Sequence, residues 1–215
     1  QGDKMRRCVI FGGGELKDIR FTQSLLREDD YIVCADRGYA YCAAMGRKPD
    51  LILGDFDSYN GKLPPGCEVL RYPIEKDDTD TMLAVKEAIR REFADILMLG
   101  MLGGRLDHTL ANIQTIVYAV QHGASASIVE KDCRITALRG GQSAAIPYAR
   151  GFHFSVFCHS DSAEGVSIRH AKYELENAQI TNGFPIGVSN SFLPGEDAVI
   201  SVESGILVIV ANMGK

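Results

Sequence analysis

The strongest constraint on this fold is a repeated order of segments. Short apolar runs at residues 7–11, 31–35, 51–53, 67–72 and 95–99 each break at glycine, aspartate or proline. Stretches with helical spacing follow at 19–27, 39–45, 79–93 and from 108 onward. Strands alternating with helices predict a parallel sheet with helices packed on its faces, because a parallel return needs a crossover. The strand exits then share one sheet edge, which is where open α/β sheets bind ligands. The reading is therefore an α/β protein, with a parallel-sheet three-layer domain at residues 1–123.

The most informative exit is 51–58, LILGDFDS. Leu51, Ile52 and Leu53 read as a buried strand, and Gly54 permits a crowded turn. Asp55 and Asp57 follow at a spacing of two, so in extended chain both carboxylates point the same way. Such a pair suits a hard divalent cation, the alternative being a solvated turn with a capping Asp or Ser58. Asp77, Asp78 and Asp80 crowd the start of the next helix. One acid there is explained by capping and the helix dipole, at about 0.3–1 kcal/mol. Three acids beside a second acidic loop call for a counter-charge, since two like charges ~4 Å apart cost roughly 4 kcal/mol at an effective dielectric near 20. Such a cluster would either keep some of its acids protonated or bind a cation, and the two acidic loops together favour the cation.

Two glycine-rich exits complete the edge. Gly12, Gly13 and Gly14 end the first strand and can bring backbone N–H groups to a phosphate, although neither a dinucleotide fingerprint nor a Walker motif is present. Gly103 and Gly104 precede Arg105, whose guanidinium suits a polyphosphate, and Asp107, a third metal-directed carboxylate or an N-cap. His108 reads as packed or bonded to the helix start, and Leu110, Ile113, Val117 and Val120 as that helix's apolar face. Asp36, Arg37 and Gly38 form a further charged turn.

Past Gly123 the pattern changes to short β-like runs at 126–130, 134–138, 143–146, 152–158, 165–169, 174–180, 198–202 and 206–211. Glycine, asparagine and proline turns punctuate them, as in an antiparallel sandwich or barrel. The second domain is set at 124–215. Within it, Ser189 and Asn190 read either as turn residues or as part of a site with Phe192. Tyr148, His170 and Tyr173 read as packing or surface residues.

Composition narrows the classes. The 215 residues are 46% hydrophobic and 24% charged with a net charge of −5, which suits a globular protein and argues against a nucleic-acid footprint. Six cysteines lack paired spacing and read as reduced thiols, pointing to the cytoplasm, and no run suggests a membrane span or an export signal.

The order of motifs resembles the thiamine pyrophosphokinase family. The matching elements are Asp36 to Gly38, 49–58, 76–80, 103–108 with Asn112, and 187–190. The resemblance implies an α/β catalytic domain followed by an all-β sandwich that binds thiamine and dimerises. It further implies a homodimer with sites at the subunit interface, and Mg²⁺-dependent transfer of a pyrophosphoryl group from ATP to thiamine, giving AMP. Asp55, Asp57, Asp80 and Asp107 would serve metal and catalysis together with Arg105. Gly13, Gly14, Asp36, Arg37, Gly38, Asp77, Asp78, Gly104 and Asn112 would serve the nucleotide, and Ser189, Asn190 and Phe192 the thiamine. Ser191 departs from similar sequences, which often carry Glu there. With no Trp in the chain, Phe192 or another apolar residue would supply any stacking surface. Rival functions for the same acids are a metal-dependent phosphohydrolase and a non-catalytic nucleotide or thiamine sensor.

Overall fold

A computed structural model describes residues 6–54, 64–73, 75 and 77–214. The chain divides into two compact units, Gln1–Lys131 and Asp132–Lys215.

Among the described residues the first unit carries strands β1 (Cys8–Phe11), β2 (Tyr31–Ala35), β3 (Leu51–Gly54), β4 (Glu68–Arg71), β5 (Asp95–Leu99) and β6 (Ser125–Val129). Its helices are α1 (Ile19–Ser24), α2 (Gly38–Ala44), α3 (Asp80–Arg90) and α4 (Leu106–Gln121). The strands are parallel in the order β4-β3-β2-β1-β5-β6. β1 and β3 are buried at every residue, as a sheet covered on both faces requires.

Local chemistry sets the helix ends, and not always through the residue expected. Thr79, rather than an aspartate, caps α3: its hydroxyl accepts the Met82 N–H at 3.1 Å. α3 buries Ala84, Val85 and Ala88, while α4 buries Ile116, Val117, Ala119 and Val120. Leu110 departs from its expected place in the α4 core. It is exposed, as is Leu106, both lying in the first turns of α4. At the opposite end of β1, Arg7 grips Asp30 through Nε–Oδ1 at 2.9 Å and Nη2–Oδ2 at 2.8 Å, and the Arg27 N–H adds a third bond to the same carboxylate. This bidentate pair fixes the start of β1 against the turn that enters β2.

The second unit has β7 (Cys133–Arg139), β8 (Gln142–Ile146), β9 (Phe152–Cys158), β10 (Ser162–Arg169), β11 (Leu175–Thr181), β12 (Gly187–Ser191), β13 (Ala198–Val202) and β14 (Ile206–Met213). They form two antiparallel sheets, β12-β9-β14-β7 and β11-β10-β13-β8. Phe154, Val156, Leu207 and Ile209 of the first sheet share one apolar core with Val166, Ile168, Ile200 and Val202 of the second. This is a β-sandwich. β12 was legible only as a turn, because Gly-Val-Ser-Asn-Ser lacks an alternating apolar pattern. It pairs with β9 through a register shift in which Ser189 adopts a φ of 60°.

Candidate functional site

The strand order of the first unit reverses between β1 and β5, so their connections leave to opposite sides of that switch point, the position where open α/β sheets bind ligands. The loops meet closely. Gly12 donates its N–H to Leu99 O at 2.8 Å, and Gly14 donates to Gly100 O at 2.8 Å. A Cβ on Gly14 would lie 2.6 Å from Gly100 O, so only glycine permits this approach. Gly14 was expected to offer its N–H to a phosphate; in the fold that group is engaged by Gly100.

Gly38 is required for a similar reason. Its Cβ would fall 2.0 Å from Phe11 O, so the start of α2 presses on the end of β1. Asp36, at φ 49°, donates its N–H to Leu53 O at 2.9 Å and joins the exits of β2 and β3. Gly13 sits beside Asp36 and Arg37, a Cβ there being 3.6 Å from Asp36 Oδ2 and 3.7 Å from Arg37 Cβ. The exits of β1, β2, β3 and β5 thus gather at one edge.

From β5, the Gly100 N–H donates to Oε1 of the buried Glu130 at 3.1 Å, and Asn112 Nδ2 donates to Met101 O at 2.7 Å. Asn112, expected among the nucleotide residues, therefore holds the exit-loop backbone. Beyond it, Arg105 and Asp107 form a two-point pair, with Nε–Oδ1 at 3.1 Å and Nη2–Oδ2 at 2.5 Å. The guanidinium is the main influence holding the Asp107 carboxyl below its usual range, assisted by the His108 N–H; the same contact raises Arg105. Both side chains are exposed. Arg105 occupies the N-cap position of α4 without a side-chain bond, while Asp107, in the first turn, accepts the His108 N–H at 3.0 Å. His108 is exposed rather than packed.

The acids before α3 are not equivalent. Asp78 receives Lys86 Nζ on both oxygens, at 2.8 and 2.7 Å, which ties it to α3 and raises the lysine. Asp77 is exposed, and Asp80 is half-buried in the first turn. Asp55 and Asp57 lie outside the described residues. Among the described residues no group of three or more His, Cys, Asp or Glu side chains is placed to hold a metal ion.

In the second unit a cleft of about 380 Å³ is lined by residues that include His153, Lys172, Tyr173, Ser189 and Ser191. Ser189 is exposed, and its N–H donates to Ser155 Oγ at 3.0 Å. Asn190 is 5% exposed, with its amide engaged internally: Oδ1 accepts the N–H groups of Tyr173 and Ser191, and Nδ2 donates to Tyr173 O. Phe192 is not an open stacking surface. Its ring lies in the sandwich core, 4.9 Å from that of Phe154. Tyr173, read from the sequence as packing or surface, is a surface residue, 60% exposed and lining the cleft. Glu130 and Lys86 also escaped the sequence reading, since neither belongs to a local motif.

A parallel sheet with glycine turns meeting at its switch point, followed along the chain by a β-sandwich bearing a polar cleft, defines a two-unit protein with an α/β unit and an all-β unit. Residues 22–128 match the thiamin pyrophosphokinase catalytic domain, and residues 145–207 match the thiamin pyrophosphokinase vitamin B1 binding domain. The chain belongs to the thiamin pyrophosphokinase family. It is 27% identical to thiamine pyrophosphokinase of Bacillus subtilis, covering 97% of this chain and 99% of that protein. The crystal structure of thiamine pyrophosphokinase from Bacillus subtilis superimposes with a TM-score of 0.86 at 25% identity, covering 98% of this chain and 100% of the other. That of thiamin pyrophosphokinase from Geobacillus thermodenitrificans does so at 0.81 and 28% identity, covering 97% and 98%.

Proposed function

We infer that this chain transfers a pyrophosphoryl group from ATP to the hydroxyl of thiamine, giving thiamine diphosphate and AMP. One observation carries the reading. A catalytic-domain match and a vitamin-binding-domain match lie in order on one chain, and the first covers β2 to α4 with the turns at 36–38, 77–80 and 103–107.

In this reading thiamine's hydroxyl oxygen attacks the β-phosphorus as the bond from that phosphorus to the α-phosphate oxygen breaks, and AMP carries away the electron pair. The hydroxyl proton passes to a carboxylate of the acidic loops. Positioning and charge stabilisation account for most of such a reaction. Arg105 offers its donor fork to phosphate oxygens, exchanging Asp107 for them, and its exposure supports that exchange. Gly13, beside Asp36 and Arg37, contributes backbone to the nucleotide end. Asp80 and Asp107 carry the hard oxygen donors that Mg²⁺ takes, and would hold it with Asp55 and Asp57. When bound, the ion neutralises charge on the phosphates.

The same reading places Ser189 at the thiamine end and includes a homodimer. The exposed Phe184, Ile186 and Val188, on and before the edge strand β12, are apolar surface that a second copy would cover. Cytoplasmic residence is supported by six free cysteines. Among the described residues no helix is long and apolar enough to cross a membrane.

The deciding experiment is AMP release from ATP and Mg²⁺, with and without thiamine. Release that requires thiamine supports the transfer. Release without it makes the protein a phosphohydrolase, and ligand-induced thermal shifts without turnover make it a sensor.

A further inference from the structure

In the turn before α3 two adjacent residues are tied to the helix that follows. Thr79 caps it, its hydroxyl accepting the Met82 N–H at 3.1 Å, and Asp78 receives Lys86 Nζ on both oxygens, at 2.8 and 2.7 Å. Lys86 is not an ordinary i,i+4 surface partner. It lies eight residues beyond Asp78, in a helix whose side chains lean toward the N-terminus, and so joins a residue outside the helix to the helix body. Asp77 and Asp80 flank the two anchored residues.

The lysine is held in turn by α4. Its Nζ lies 5.7 Å from the ring centroid of Tyr118, within range of a cation–π contact. That ring stacks on His122, with centroids 3.9 Å apart and planes at 27°, and His122 Nδ1 donates to Tyr118 O at 2.8 Å. The ammonium therefore has two partners, a carboxylate of the turn and an aromatic ring fixed on the neighbouring helix. Asp78 and Lys86 remain partly exposed, so their pairing adds little to stability. Its weight falls on the turn: three acids stand within four residues, and Lys86 offsets the charge of one of them.

We propose that Lys86 is the positioning residue of this turn, holding Asp78 along α3 so that Asp77 and Asp80 serve the Mg²⁺–ATP end of the reaction. The proposal rests on the thiamine pyrophosphokinase reading above. It separates the three acids by role: Asp78 is the anchor and supplies no ligand oxygen, because both of its oxygens are engaged by Lys86. Groups that orient the carboxylates of a metal site affect it strongly, and losing one typically costs about 10–100-fold in affinity or activity.

The test combines steady-state kinetics on the full chain, with ATP and thiamine varied separately, and calorimetric binding of Mg²⁺–ATP without thiamine. Thiamine-dependent AMP release by the unmodified protein comes first. Its absence removes the underlying reading, and the calorimetry then decides this inference by itself. Lys86→Met, which keeps the apolar stem and removes the charge, lowers kcat/KM for ATP and the affinity for Mg²⁺–ATP about tenfold, while the KM for thiamine changes far less. Lys86→Arg, whose fork of donors matches a carboxylate, recovers most of both. Asp78→Asn loses in the same direction, and the double variant Lys86→Met with Asp78→Asn is no worse than the poorer single one, since the two residues act as a unit. Thermal melts identify any loss that comes from unfolding. Unchanged Mg²⁺–ATP affinity in Lys86→Met overturns the proposal, leaving an ordinary surface pair. A rise shared equally by both KM values also overturns it. Additive losses in the double variant overturn the anchor role of Asp78, because it would then act independently of Lys86.

Discussion

Glu130 Oε1 accepts the N–H of Gly100 at 3.1 Å, and the carbonyl of that same glycine accepts the N–H of Gly14 at 2.8 Å. One residue at the switch point is therefore held through its N–H by a buried carboxylate and joined through its carbonyl to the first glycine loop. Replacing Glu130 by leucine leaves the Gly100 donor buried and unpaired, which costs about 1–3 kcal/mol. Glu130→Leu should lower stability in urea by that amount and raise the KM for ATP more than the KM for thiamine. Glu130→Gln, which keeps an accepting oxygen, should recover most of both. Equal effects on the two substrates would show that Glu130 has no particular bearing on the nucleotide end.

The Arg105–Asp107 pair makes a prediction about pH. The guanidinium holds the folded-state value of Asp107 below the usual 3.8. A carboxylate depressed on folding contributes stability above its unfolded value and loses it as pH falls through the folded one. The pair's contribution should therefore be complete above 3.8 and vanish in more acid solution. Both groups are exposed, so the contribution is small and readily screened by salt. Carboxyl NMR titration of Arg105→Gln should place the Asp107 midpoint higher than in the unmodified protein. The same variant should lose about 10²–10³ in turnover if Arg105 stabilises phosphate charge.

Breaking the Arg7–Asp30 pair should be costly because the carboxylate is fully buried and the arginine nearly so. Asp30→Ala leaves a buried guanidinium without its partner, at about 3–5 kcal/mol. Chemical denaturation measures the loss. Because the pair lies at the end of β1 opposite the glycine loop, kcat below the melting transition should change far less than stability.

Asp57→Asn should lower turnover by about two orders of magnitude or more while leaving the melting temperature nearly unchanged, because it removes a charge that the metal reading requires and no apolar side chain. Near-normal AMP production by this variant would remove Asp57 from the metal set.

Phe192→Ala separates core from contact. A buried phenylalanine truncated to alanine costs about 3–5 kcal/mol. Phe192→Leu should be milder and leave the KM for thiamine close to that of the unmodified protein. A large thiamine effect at full stability would return Phe192 to the cleft.

The alternation of strand, exit loop and helix was legible from residues alone, as were the glycine and acidic exits and the change to short strands after Gly123. These are local properties: apolar periodicity and turn chemistry. Which polar atoms remain available for a ligand was not legible. Asn190 meets Tyr173 from 17 residues away, and Glu130 reaches Gly100 across 30. Such partners are chosen by strand order and register, which bring distant segments within hydrogen-bond range. The sequence by itself determined that glycine turns would end strands along one edge of a parallel sheet, because periodicity and turn residues act over a few positions. Only the tertiary structure decided that the Gly14 N–H is engaged by Gly100, that Phe192 belongs to a core and that Tyr173 lines a cleft. Burial and pairing are settled by whichever segment the fold brings alongside.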